Sequence, residues 1–243
     1  MSGLLLHLSG PLQSWGTEAD FDVRPTHRFP TASAMTGLLA SALGYARGQK
    51  DTDRLSELRY TVRIDRPGTR ILDFHTVGGG YPRTSTVMTA DGAYKKEGTG
   101  TIVTERWYLA DAAFTIAVTG PPETITRCAD SLARPVFAPY LGRRSCVPDT
   151  PILIRDDLQD PVTALDHAPL HRSDRGTPVV FLYDTPPEPD ARPEIELRDA
   201  PRIGPGVERR YLWQRERHLP DAQDANTATD WINALTSYRR SAP

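Results

Sequence analysis

The stretch TASAMTGLLASALG (residues 31–44) decides how the rest of the chain is read. Met35, Leu38, Leu39, Ala42 and Leu43 recur at the spacing of one helical face, Thr31 or Ser33 offers an N-cap oxygen, and Gly44 stands near the end. On its N-terminal side, Leu4-Leu5-Leu6-His7-Leu8, closed by Gly10-Pro11, reads as a buried first strand, followed by a loop from Gln13 to Pro30. On its C-terminal side a short turn of helix near Asp53, with Leu55 and Leu58 inward, leads into Tyr60-Thr61-Val62-Arg63-Ile64. These alternate as a second strand that turns at Arg66-Pro67-Gly68, and Ile71 to Val77 continues extended. Trp107 and Leu109, then Phe114, Ile116 and Val118, give another strand ended by Gly120-Pro121-Pro122. Ile125, Cys128, Ala129 and Leu132 form a helical stripe that stops before Pro135. With a final strand near Val136 to Leu141, residues 1–148 are an α+β unit ordered β-α-β-(insert)-β-α-β, that of a ferredoxin-like or RNA-recognition fold.

The insert, about 78–105, is rich in Gly, Thr and small polar residues, and Asp91-Gly92 is the strongest two-residue hairpin signal in the chain. The insert is either a mobile loop or a long hairpin; a hairpin turning there has arms at 79–90 and 93–104, with Tyr94, Lys95 and Lys96 just past the turn. Beyond Pro148 strands are expected at Ile152–Ile154, Val179–Tyr183, Glu194–Arg198 and Val207–His218. A terminal helix from Asp230 to Arg240 would carry Trp231, Leu235 and Tyr238 on one side. Residues 149–243 thus read as a small β-rich module packed beside the first.

Composition narrows the function classes. Of 243 residues 38% are hydrophobic and 25% charged, which fits a folded chain better than a disordered or membrane one. No run approaches the roughly 18 apolar residues of a membrane span, and the N-terminus lacks a basic leader, so a cytoplasmic protein without a membrane partner is expected. Cys128 and Cys146 have no CxxC spacing, which argues against a disulfide scaffold or a zinc site and for buried thiols. The formal net charge of −2 says little about partners, but of the 29 basic residues only Lys50, Lys95 and Lys96 are lysine. Arginine is planar and bidentate and suits phosphate and base stacking; a codon bias explains the same count.

No Walker loop, HExxH, GxSxG or GxGxxG occurs, and Gly78-Gly79-Gly80 lacks the following helix and Lys-Ser/Thr of a phosphate loop. His167 and His171 are spaced for one helical face, but Pro169 lies between them, and neither metal nor cofactor is expected. Four constellations remain. Gln13-Ser14-Trp15-Gly16, with Arg24, Thr26, His27 and Arg28 before the Thr31 cap, puts polar donors and a flat ring beside a helix N-terminus, as a phosphodiester requires; equally, Trp15 fills core. In Asp73-Phe74-His75-Thr76 the histidine is a general acid or base, or merely a strand-end hydrogen-bonder. Gly142-Arg143-Arg144-Ser145 sets two guanidiniums after a glycine that admits close backbone approach, either for phosphate or as an exposed basic turn. In Glu105-Arg106-Trp107-Tyr108 the aromatics stack bases or belong to the sheet core.

Taken in order, LSGPLQSWG (8–16), FDVRPTHRFPTASAMTGLLASALGYAR (21–47), RIDRPG (63–68), DFHTVGGG (73–80), TERWYLADAAFTIAV (104–118) and PYLGRRSCVPDTPI (139–152) resemble the CasD family, the RAMP-type subunit of the type I-E CRISPR Cascade complex. VERRYLWQRERHLP (207–220) extends the likeness more loosely into the second half. The resemblance implies a ferredoxin-like N-terminal domain, a long thumb hairpin and a small β C-terminal domain. It implies a non-catalytic architectural role: gripping the 5′ handle of the crRNA, capping the filament of CasC-like backbone subunits and docking the CasA-like large subunit, with target DNA met only through the complex. The expected RNA site is then Gln13, Ser14, Trp15, Arg24, Thr31, Ser33, Arg106, Arg143, Arg144 and Ser145, with phosphates on the first helix's N-terminus and on Arg143 and Arg144. Tyr94, Lys95 and Lys96 would lie on the thumb. The competing reading is a metal-independent endoribonuclease that processes precursor crRNA. That chemistry needs a His, Tyr and Lys set, which is not visible by spacing. A third class, a generic ligand-binding enzyme domain of this fold, stays open because fold does not fix function.

Overall fold

A computed structural model of the chain describes residues 2–16, 22–46, 50–78, 88–89, 91–94, 101–172, 177–199, 208–219 and 227–241. In chain order the elements are β1 (Ser2–Ser9), β2 (Leu12–Gln13), β3 (Trp15–Gly16), β4 (Val23–Arg24), β5 (Thr26–His27), α1 (Ala32–Ala42), a 3-10 turn (Lys50–Glu57), β6 (Arg59–Arg66), β7 (Thr69–Val77), β8 (Ile102–Ala110), β9 (Ala113–Gly120), α2 (Pro122–Ala133), β10 (Leu153–Leu158), α3 (Pro161–His167), β11 (Val179–Tyr183), β12 (Ile195–Asp199), β13 (Glu208–Arg217) and α4 (Ala228–Ser241).

The main sheet has seven strands in the order β10-β1-β9-β6-β11-β13-β12, every pair antiparallel. The apolar run of β1 follows from its central place. Leu4, Leu6 and Leu8 pack with Met35, Leu39, Ile125 and Cys128 of α1 and α2, while Leu5 faces Leu165, Phe181 and Trp231 on the other side. A strand covered on both faces needs apolar residues at every position, and burying each leucine stabilises the fold by about 1.5–3 kcal/mol. Both cysteines are buried free thiols, as their spacing implied.

Two expectations are corrected. The strand after α2 is β10, at Leu153–Leu158, not Val136–Leu141. Val136 and Phe137 lie exposed between Pro135 and Pro139, whose rings remove the donors a ladder would need. The stretch from Trp107 to Val118 is two strands rather than one, because the chain reverses at Asp111, φ 55°, sending β8 into one sheet and β9 into another. Ile71 to Val77 is extended, as expected after the turn at Arg66-Pro67-Gly68, and forms β7. Gly68, at φ 68°, turns the chain out of the main sheet where a Cβ would stand 2.7 Å from the Ala110 carbonyl oxygen, and β7 then pairs with β8 from Thr69↔Ala110 to Val77↔Ile102. The hairpin is therefore rooted well before Gly78. At its described far end Met88 bridges Tyr94 around a turn at Asp91-Gly92, closed by Thr89 N–H to the Ala93 carbonyl at 2.7 Å.

The division at 148/149 does not coincide with a break in the main sheet. β10 adds beside β1, and β11, β13 and β12 add beside β6, so strands from both halves of the sequence form one ladder. α3 was not foreseen, though Asp160-Pro161 carries the signal: the Asp160 carboxylate accepts from Thr163 N–H at 3.0 Å, with proline at the first helical position. At seven residues it is too short for an apolar period to register. Of the spaced histidines, His167 ends α3 and His171 lies beyond it.

Candidate nucleic-acid interface

A four-stranded second sheet stands outside the main one, with β8 at its centre, β7 along one side and β2 and β4 along the other. Side chains directly opposite one another share a face. Arg24 lies opposite Arg106 in the parallel β4–β8 pair, and Asp73 lies opposite Arg106 across β7. On that face Arg106 Nε donates to Thr104 Oγ1 at 3.0 Å, and the Arg143 guanidinium lies 4.5 Å over the buried Tyr108 ring. Arg143 also donates to the Trp107 carbonyl at 3.1 Å and the Arg24 carbonyl at 2.9 Å. Three arginines distant in sequence thus meet on one surface. His75 joins them at the edge, its Nδ1 3.6 Å from an Asp73 carboxylate oxygen.

The turn that carries Arg143 is built from its own sequence. Leu141 N–H and Cys146 N–H donate to the Cys146 and Arg143 carbonyls, each at 2.8 Å. Gly142, at φ 90°, brings the chain so close to residue 14 that a Cβ would lie 1.6 Å from the Ser14 carbonyl oxygen. Close approach at this glycine was the sequence expectation. It is protein backbone, not phosphate, that approaches.

That contact explains Gln13, Ser14 and Trp15, all three buried and so out of reach of a ligand on the surface. Gln13 Nε2 donates to the Leu8 and Ala112 carbonyls at 3.2 and 2.8 Å, and its Oε1 accepts from Trp15 Nε1 at 3.2 Å. Ser14 N–H donates to the Leu141 carbonyl at 3.0 Å, and its hydroxyl to the Trp107 carbonyl that Arg143 also holds. These residues fix the arginine turn from beneath. Trp15 takes the core role that was weighed against RNA contact.

The N-terminus of α1 is closed by a carboxylate of the protein itself. Thr31 is the N-cap, its Oγ1 accepting from Ala34 N–H at 3.4 Å. Asp199, at the end of β12, accepts from Ser33 N–H at 3.0 Å, from Thr31 Oγ1 at 3.1 Å and from Ser33 Oγ, and Arg210 Nε lies 3.6 Å away. The anion site expected for a phosphate therefore holds a buried side chain, satisfying the same free N–H groups and helix dipole. Sequence reasoning missed Asp199 because 166 positions separate it from Ser33. Nearby, burial holds the His27 imidazole below its ordinary pKa.

Arg144 and Ser145 are exposed, Arg144 lining an open groove with Phe137, Tyr140 and Val147. Tyr94 is exposed at the described end of the hairpin. Lys95 and Lys96 lie outside the described residues. Arg70, which no motif singled out, has its guanidinium 4.8 Å over the Trp107 ring on the sheet's opposite face. Among the described residues no group of three or more His, Cys, Asp or Glu is placed to hold a metal ion. No helix there is long and apolar enough to cross a membrane.

Residues 3–219 match the model of the family described as CRISPR-associated protein (Cas_Cas5). The CRISPR system Cascade subunit CasD of Escherichia coli (strain K12) is 38% identical over 180 residues, covering 68% of this chain and 75% of that one. A chain of a solved structure titled CRISPR RNA-guided surveillance complex superposes with a TM-score of 0.85 at 42% identity, over 99% of this chain and all (100%) of that one. A further structure, titled Crystal structure of Cas protein, matches at a TM-score of 0.66 and 28% identity over 93% of this chain and 100% of that one.

Proposed function

This chain belongs to the CRISPR-associated Cas5 family, and from that premise we propose that it is a non-catalytic subunit of a Cascade complex that grips the 5′ handle of a crRNA. The observation that carries the reading is the convergence of Arg24, Arg106 and Arg143 on one face of the second sheet. Three guanidiniums on a rigid β surface suit a phosphodiester backbone, because each offers paired donors and a permanent charge. Arg144, exposed one residue further on, lines a separate open groove with Phe137, Tyr140 and Val147.

The fold supports the reading. β1-α1-β6 and β9-α2-β10, in the order β10-β1-β9-β6, are read as the ferredoxin-like unit. The β7–β8 hairpin is read as the root of the thumb, with Lys95 and Lys96 further along it. Within the complex the subunit caps the CasC-like backbone filament and docks the CasA-like large subunit, touching target DNA only through the assembly.

A second reading, endoribonuclease, is favoured by one observation: His75 and Asp73 sit together on the arginine face. RNA cleavage without metal needs a base for the 2′-hydroxyl and an acid for the leaving oxygen, and arginine is too basic to relay a proton. Among the described residues of that face, one half-exposed histidine leaves that set incomplete.

The test uses handle RNA and the assembled complex. Arg24→Gln and Arg106→Gln should each weaken RNA retention by about 1–3 kcal/mol, and each lost phosphate contact should lower the salt slope by about 0.7. Unchanged affinity and slope in the double variant would remove this face as the RNA site. Incubation with labelled repeat RNA should yield no cleavage; specific cleavage lost in His75→Ala would promote the second reading.

A further inference from the structure

β8 is paired on both sides, whereas β7, among the described residues, is paired on one. Thr69–Val77 therefore presents a nine-residue outer edge on which every second residue turns its N–H and C=O away from β8. Such an edge templates further strands, and native sheets blunt it with charged side chains, lysine above all, with proline, a bulge or a covering element. The main sheet does so at β10, where Arg239 of α4 donates to the Leu153 and Ile154 carbonyls. Among the described residues β7 has no proline, lysine, bulge or covering strand: its sequence is TRILDFHTV, its register with β8 runs without a shift, and its charged Arg70 and Asp73 turn to Trp107 and His75. Its apolar side chains are open, with Ile71 39%, Leu72 47%, Phe74 68% and Val77 37% exposed.

We propose that β7 is a docking edge to which an extended segment of another polypeptide of the assembled complex adds as a strand. This rests on the reading of the chain as a subunit of a multi-protein complex. The register gives the segment its chemistry. Leu72 and Phe74 share a face with Val103 and Trp107, opposite the face of Arg24 and Arg106, so the incoming strand carries apolar residues at alternate positions to cover them. The alternating donors and acceptors of a free strand edge are matched by another strand and not by a phosphodiester chain, whose phosphates only accept. A second copy of this chain fits poorly. Two-fold antiparallel pairing of the whole edge centres on Asp73 and sets two carboxylates opposite each other.

The test is photocrosslinking from the complex co-expressed with its other subunits and RNA, with a benzophenone amino acid in place of Phe74. The expected product joins residue 74 to one stretch of another protein subunit, and amides within 70–77 exchange at least tenfold more slowly in the complex than in the free chain. Crosslinking to RNA or to a second copy, or unchanged exchange, overturns the proposal. In the double variant Leu72→Lys with Phe74→Lys, co-purification of the crosslinked subunit should fall at least tenfold while the isolated chain keeps its thermal midpoint and its RNA affinity. Equal co-purification overturns the proposal and leaves the RNA reading standing. If the wild-type chain joins no subunit at all, the assembly reading fails, and this proposal with it.

Discussion

Arginine is used in two opposite ways in this molecule. Arg63, on the central part of the main sheet, is fully buried against Asp65, with Nε to Oδ1 at 2.7 Å and Nη2 to Oδ2 at 3.1 Å. Its remaining donors reach the Leu165 carbonyl, the Ala168 and Pro169 carbonyls at 2.9 and 2.6 Å, and Thr115 Oγ1 at 3.1 Å. Burial by itself would raise the Asp65 pKa, but the charge and hydrogen bonds of Arg63 hold it below the usual carboxylate range. Arg106 and Arg143 instead meet on the second sheet, bonded to a hydroxyl and to carbonyl oxygens respectively, with Arg24 beside them, its carbonyl accepting from Arg143. The contrast teaches that a guanidinium surrounded by its own carboxylate and carbonyls is a fold element. Arg106 and Arg143, held by a hydroxyl, by carbonyls and by a ring, are the groups the proposed RNA reading assigns to recognition.

The largest effect should come from breaking the buried cluster. Arg63→Ala leaves Asp65 charged and unpaired in the core and should cost about 3–5 kcal/mol, read as a lowered urea midpoint. Arg106→Ala should change that midpoint by no more than about 0.5 kcal/mol. Equal losses would erase the distinction between the two regions.

Gly142→Ala sharpens the comparison from the exposed side. The added Cβ collides with the Ser14 carbonyl at a positive φ, so the turn must shift, at about 1–3 kcal/mol. RNA affinity should fall with stability, since the same turn aims Arg143. Full RNA affinity in this variant would show that Arg143 needs no fixed position.

The last effect is a pH dependence seated in the core. Thr115 donates its proton to Asp65 Oδ2 at 2.8 Å, so His7 Nδ1–H donates to Thr115 Oγ1 and its Nε2 accepts from His171 Nδ1–H at 3.0 Å. His7, stacked 4.0 Å from Trp231 of α4, must be neutral, and burial pushes its pKa down to about 3. Between that value and the ordinary 6.5 the unfolded chain binds the extra proton. The contribution of His7 is thus fully present above about pH 6.5 and is lost at up to about 1.4 kcal/mol per unit as pH drops toward 3. In denaturant melts His7→Gln should flatten this slope; an unaltered slope would place the titration elsewhere.

The sequence by itself determined the elements whose signals are local. The α1 period, the β1 apolar run, the β11 strand at Val179–Tyr183, the α2 stripe and the Asp91-Gly92 turn were all legible, because each depends on neighbours a few residues apart. Arg24, Arg106 and Arg143 were legible as residue types at motif positions. Only tertiary structure decided their roles. It placed Arg24 and Arg106 side by side through β4–β8 pairing, buried Gln13, Ser14 and Trp15 beneath the Arg143 turn, and brought Asp199 onto the N-terminus of α1. The physical reason is the same in each case. A hydrogen bond or ion pair depends on ångströms of separation, and tertiary packing brings together residues that lie from 82 to 166 positions apart, which no period, cap or turn in the chain records.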